Sequence, residues 1–121
     1  MIKIQKENFQ VDYEIEKIKS LSNEIGAVTN FIGYVRNINN SKKVKSIYVE
    51  VYEEMAIKSL KKICENAKNK WNLIDYLVIH RFGNLSINDK IVLVSTFSKH
   101  RKESFESCNF IMDYLKKEAP F

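Results

Sequence analysis

The sequence predicts an α+β fold, a mixed sheet with helices packed on it, in the order β-α-β-β-α-β-β-α. Three stretches support this. Ile91–Phe97 (IVLVSTF) has no formal charge, Gly or Pro and is rich in β-branched residues, the composition of a strand buried on both faces. Glu53–Trp71 spaces Ala56, Leu60, Ile63, Ala67 and Trp71 by three and four, forming one stripe of a helix. Lys45–Tyr52 alternates, with Ile47, Val49 and Val51 on one face and Tyr48, Glu50 and Tyr52 on the other, as in a half-buried strand.

The remaining elements follow in chain order. Ile2–Ile4 is a short first strand, and Ile15, Ile18 and Leu21 define an amphipathic helix over Asp12–Leu21. Gly26 ends that region. Ala27–Val35 (AVTNFIGYV) reads as a strand in which Asn30 and Gly33 suggest a bulge or a close backbone approach. Arg36 follows at once and opens the polar stretch RNINNSKK; a cation where a strand gives way to a loop is a common binding position. Asp75–Phe82 is a further strand, and Gly83–Lys90 a turn-rich connection with its tightest point at Asn88-Asp89. A small hairpin extension fits this order. After the buried strand, Ser98–Arg101 leads into a last helix with Phe105, Cys108, Met112, Leu115 and Ala119 on its apolar side, stopped by Pro120.

A chain of 121 residues, 45% of them hydrophobic, supports one domain spanning residues 1–121, and three Gly with one Pro exclude linkers and low-complexity repeats. No apolar run approaches the ~20 residues of a membrane span. MIKIQKENF lacks the apolar core of a signal peptide, so a cytoplasmic location is expected. Cys64 and Cys108 stand apart, each in a helical pattern and neither in a metal-ligand cluster; both are expected to be buried, and no metal site is expected. The net charge of +5 favours anionic partners. Of 20 basic residues only Arg36, Arg81 and Arg101 are arginines, and in a lysine-rich chain these mark positions needing a planar, forked donor.

Chemistry concentrates in the last quarter. No phosphate-binding Gly-rich loop, HExxH or GxSxG is present. His80 lies in a strand pattern and reads as structural. His100 and Arg101 sit at a strand-to-helix junction, where unpaired backbone N–H groups favour anions. Lys116 lies about 40° round the helix from Met112, flanking its apolar side. At ~1.5 Å per residue, His100 and Lys116 stand ~24 Å apart along one helix and cannot reach one small molecule within a protomer. A two-fold dimer would bring His100 and Arg101 of one copy to Lys116 of the other, making two shared sites.

Four blocks together carry a family resemblance: GAVTNFIGYVRN (Gly26–Asn37), YVEVYEEMA (Tyr48–Ala56), the Trp71–Leu85 segment with VIHRFGNL, and SKHR with FESCNFIMDYLKKEAPF (Ser98–Phe121). In order and spacing they resemble the large, catalytic subunit of molybdopterin synthase. That resemblance implies a hammerhead-like portion in the α+β fold. It also implies a sulfur transferase of molybdenum cofactor biosynthesis, converting cyclic pyranopterin monophosphate to molybdopterin by installing a dithiolene. The sulfur donor is the thiocarboxylated C-terminus of a small ubiquitin-like subunit. The assembly is a heterotetramer around a central homodimer, and the transfer requires no cofactor or metal.

By position, the resemblance makes Tyr34, Val35 and Arg36 a substrate-binding turn, and His100 and Arg101 a substrate-binding pair reaching across the dimer. It makes Lys116 the catalytic and substrate-contacting lysine, and Phe31 and Met112 pocket-lining residues. Arginines can clamp phosphate or pterin oxygens bidentately, and Lys116 can serve as acid–base group or as oxyanion stabiliser. The family pattern continues past APF with WKK/RE, whose first lysine is a second active-site residue; this sequence ends at Phe121 without it. Two rival readings remain: an inert relative retained for dimerisation, and a basic RNA- or polyanion-binding module. Scattered lysines and the lack of an aromatic platform count against the nucleic-acid reading.

Overall fold

A computed structural model describes residues 1–37 and 46–118. The elements are β1 (Ile2–Gln5), α1 (Val11–Lys19), β2 (Ala27–Tyr34), β3 (Ser46–Val49), α2 (Glu53–Trp71), β4 (Asp75–Arg81), β5 (Gly83–Ser86), β6 (Lys90–Ser98) and α3 (Arg101–Glu118). Four strands form a mixed sheet in the order β1-β4-β6-β2, with β1 parallel to β4 and the other pairs antiparallel. The predicted start of the third strand at Lys45, and Ala119 and Pro120 at the end of the last helix, lie outside the described residues.

Helices on both faces explain why β6 reads as a continuous buried run. Val78, Val92 and Val94 meet Leu60, Cys64 and Ala67 of α2 and Cys108, Ile111 and Leu115 of α3. On the opposite face, Leu77, Ile79, Leu93 and Phe97 meet Phe9, Ile15 and Ile18 beneath α1. Each such side chain contributes roughly 1.5–3 kcal/mol by leaving water. α2 ends at Asn72, whose left-handed φ of 51° turns the chain so that the Leu73 N–H donates to the Lys68 carbonyl at 3.0 Å.

Two expectations are corrected. Gly83–Ser86 is a strand within the predicted connection, pairing antiparallel with β3 as a separate two-stranded sheet. The extension is therefore not a hairpin, because its strands are not consecutive. Gly83, at φ +89°, turns the chain out of β4 and into this pairing. The second correction concerns α3. Phe105 is 61% exposed, and the buried side is Ser104, Ser107, Cys108, Ile111 and Leu115. Hydroxyls take the aromatic's place because the sheet satisfies them: Ser104 Oγ meets Thr29 Oγ1 at 2.6 Å and donates to the Thr96 carbonyl at 3.2 Å. Thr96 Oγ1 in turn donates to the Ser104 carbonyl at 2.8 Å. Small side chains let α3 lie close on β6 and β2.

An ion cluster ties α1 to the sheet. Buried Glu14 accepts from Lys3 Nζ at 2.8 Å and lies 3.4 Å from Lys17 Nζ. Burial pushes the carboxyl up, but the Lys3 hydrogen bond and the two ammonium charges outweigh it, so Glu14 titrates below its ordinary range. Glu14→Gln is expected to cost about 1–2 kcal/mol at pH 7. Because the folded carboxyl is the stronger acid, that contribution is present above its unfolded pKa and is lost as pH falls through the folded value. Urea midpoints of the two proteins should therefore converge on acidification, and a constant gap would contradict the assignment. The two cysteines are buried as expected, and burial pushes the Cys64 thiol up to about 12 and the Cys108 thiol up to about 11.

Candidate functional site

Arg36 is placed by its neighbour. Val35 is buried, its N–H donates to the Asp89 carbonyl at 2.9 Å, and its carbonyl accepts from the Asn88 N–H at 2.7 Å. The Asn88-Asp89 turn before β6, with Asn88 at φ 75°, thus clasps the end of β2. A register shift at Gly33/Tyr34 precedes the clasp, so the sequence-predicted irregularity in this strand is present. Together these fix the direction in which Tyr34 and Arg36 leave the sheet.

They leave it into a cleft of about 660 Å³, a size suited to a small molecule or a chain terminus. Tyr34, Val35 and Arg36 line one side, the β3–α2 segment another, and Tyr114 and Leu115 of α3 a third. Its buried floor includes Leu60, Ile91 and Leu115, whereas Tyr48, Tyr52 and Met55 on its lining are exposed. His80 also faces it; burial holds this imidazole below its usual pKa, partly countered by the 2.9 Å contact of Nδ1 with the Arg81 carbonyl. The floor is therefore apolar, and the charged side chains of the lining, Arg36 and Glu50, are both exposed. Lys116 is exposed and directly follows Leu115.

The other predicted residues lie elsewhere. His100 and Arg101 are exposed at the start of α3, where Ser98 Oγ donates to the His100 carbonyl at 2.6 Å. α3 is continuous, so Arg101 and Lys116 are separated by about 22 Å at 1.5 Å per residue. Phe31 is exposed on β2 and Met112 half-buried on α3; neither lines the cleft. One chain thus gathers Tyr34, Val35 and Arg36 beside the Lys116 end of α3 and leaves the histidine–arginine pair at the far end. Sequence reasoning did not single out Tyr48, Tyr52, Met55, Ser59 or Tyr114 as lining a cleft. The outward alternation of Tyr48 and Tyr52 was the available signal.

The model of the MoaE protein family matches residues 4–118 of this chain. The chain belongs to the MoaE family. It is 48% identical over 120 residues to the molybdopterin synthase catalytic subunit of Ralstonia nicotianae, covering 99% of this chain and 68% of that protein. Among solved structures, the molybdopterin biosynthesis MoaE protein of Burkholderia ambifaria superposes with a TM-score of 0.88 at 38% identity, covering 96% of this chain and 76% of that one. The molybdopterin synthase of Staphylococcus aureus gives 0.85 at 30% identity, covering 95% and 82%. Within this MoaE-family chain the clasped Arg36 turn and the C-terminal part of α3 both line the cleft. Among the described residues no three His, Cys, Asp or Glu side chains gather as a metal site, and no helix is long and apolar enough to cross a membrane.

Proposed function

We propose that this chain is the catalytic subunit of a molybdopterin synthase. It transfers sulfur from the thiocarboxylated C-terminus of a small ubiquitin-like subunit to cyclic pyranopterin monophosphate, forming the dithiolene of molybdopterin. The observation that carries this is the clasped Arg36 turn at an apolar cleft, in a chain 48% identical to such a subunit. Tyr34, Val35 and Arg36 hold the substrate, with the guanidinium on phosphate or pterin oxygens. Lys116 acts on the thiocarboxylate carbonyl, as acid–base group or by stabilising the oxyanion formed there. His100 and Arg101 complete the site from a second copy, at the core of a heterotetramer, with Phe31 and Met112 lining the shared pocket. The two unpaired cysteines agree with a cytoplasmic location, where thiols stay reduced.

Dithiolene formation on incubation with the thiocarboxylated small subunit and pterin substrate tests the activity; no product sinks the reading. Hybrid dimers test the sharing. His100→Ala and Lys116→Ala are each expected to be inactive alone. A statistical mixture has half its dimers hybrid, each with one intact site of two, so about a quarter of wild-type activity should return. No recovery in dimers that demonstrably exchange subunits would place both residues in separate roles.

A further inference from the structure

We propose that Arg81 is a positioning residue for substrate binding: from a buried place outside the reacting groups, its guanidinium holds the start of β6 so that the Asn88-Asp89 turn keeps Arg36 directed at the cleft. The inference rests on the reading of Arg36 as the substrate clamp, and adds what aims it. Of the three arginines, Arg36 and Arg101 are exposed and Arg81 is buried. A buried cation is unfavourable unless its donors are met. Here Nε donates to the Lys6 carbonyl at 3.0 Å and Nη1 to the Lys90 carbonyl at 2.9 Å. Both partners are main-chain groups from segments far apart in the chain, and among the described residues no carboxylate pairs with the guanidinium. The side chain is therefore a brace between two backbones, a task suited to a planar fork and not to a single ammonium.

The place of the brace ties it to the site. The ladder between β4 and β6 ends at the His80–Val92 pair, one residue before Arg81. On the other side of β6, the register shift pairs Gly33 with Val92 and Tyr34 with Lys90, leaving Ile91 out of the β2 ladder. A bulge disrupts the pairing around it, so the start of β6 is held least by its neighbouring strands where the Arg81 fork reaches it. Lys90 pairs with Tyr34, and Asp89 just before it gives its carbonyl to the Val35 N–H at 2.9 Å. Arg36 follows Val35 directly. From one guanidinium to the other the path is a hydrogen bond, one residue of backbone, a second hydrogen bond and one more residue. The turn's own bonds, from the Asp89 N–H to the Ser86 carbonyl at 3.0 Å and from the Ser86 N–H to Asp89 Oδ2 at 2.8 Å, keep its shape without fixing where it sits. The far end of the brace is firm. Lys6 leads into Phe9, which is buried, and Lys90 Nζ donates to the Phe9 carbonyl while lying 5.1 Å from the centre of its ring.

Arg81→Lys keeps the charge but can reach only one of the two carbonyls. In sulfur transfer with the thiocarboxylated small subunit it is expected to raise KM for the pterin substrate about tenfold, with kcat within about threefold. Amide exchange should quicken at Val35 and Asn88, whose N–H groups make the clasp, while Leu93 and Val94 in the middle of β6 exchange as before. A double-mutant cycle shows whether the effect passes through Arg36. In an Arg36→Ala background the same substitution should change kcat/KM by less than about twofold, whereas a mere loss of stability would lower it equally in both backgrounds. Equal effects in the two backgrounds, or unchanged exchange at Val35, overturn the proposal. Arg81→Gln, an amide donor without the charge, is the second variant should the lysine protein not fold. Failure of both to fold also overturns the proposal, because the side chain would then hold the whole fold and not the turn. An unaltered KM in Arg36→Ala itself overturns the reading of Arg36 as the clamp, and exchange at Val35 then judges the brace separately.

Discussion

Lys116→Ala is expected to lower sulfur transfer by about two to three orders of magnitude while leaving the fold intact. The side chain is exposed on the last described turns of α3, and its removal deletes no core contact; surface truncations of that kind change stability by about 0.5 kcal/mol or less. Its neighbour Leu115 is 2% exposed and fixes the helix against the cleft, so the backbone at position 116 stays where it is. On the proposed mechanism, what disappears is the cation that stabilises the charge developing at the thiocarboxylate carbonyl. Lys116→Arg separates two roles. If the amine only stabilises charge, arginine should retain activity within about tenfold; if it must release a proton, arginine should be as poor as alanine, because a guanidinium does not deprotonate in proteins. Activity of the alanine variant near wild type would remove Lys116 from the mechanism.

Gly26→Ala is expected to destabilise the protein by about 1–3 kcal/mol and to weaken substrate binding as well. A methyl group at Gly26 would sit 2.2 Å from the Lys99 carbonyl oxygen, a backbone atom that cannot rotate aside. The Gly26 N–H donates to the Ser98 carbonyl at 2.9 Å and Ala27 pairs with Ser98, so strand and junction are locked together at this point. Relief of the clash must move Lys99, and His100 and Arg101 follow it directly. The melting temperature should fall by roughly 4 °C per kcal/mol, and KM should rise more than kcat falls. An unchanged melting temperature would mean that the junction is freer to shift than the hydrogen bonds imply.

Gly26 also illustrates how far the sequence reaches. As a sequence feature it only ended a helical stretch; its function as the floor under the His100–Arg101 junction depends on β2 pairing with β6, some seventy positions later in the chain. β5 was hidden for a related reason. GNLS has weak strand character by itself and becomes a strand because Ile47 and Leu85 come opposite each other. The helical face of α3 was misjudged at Phe105 because periodicity ranks an aromatic above a serine. Ser104 and Ser107 are fully buried because Thr29 and Thr96 lie where they satisfy the Ser104 hydroxyl and the Ser107 hydroxyl donates to the Ser104 carbonyl one turn back. By contrast α2, both faces of β6 and the Asn88-Asp89 turn were legible, since each rests on local spacing or turn chemistry.

The sequence alone determined the type of every described element but β5, the family and the identities of the cationic residues, because composition and period are local properties and the motif blocks occur in order along the chain. Only the tertiary structure decided that Arg36 is clasped at a cleft, that His80 and a set of tyrosines line it, and that β2 is the outer strand of the four-stranded sheet among the described residues. Those outcomes depend on which strands become neighbours, and strand pairing joins residues far apart in the chain whose positions no local pattern encodes.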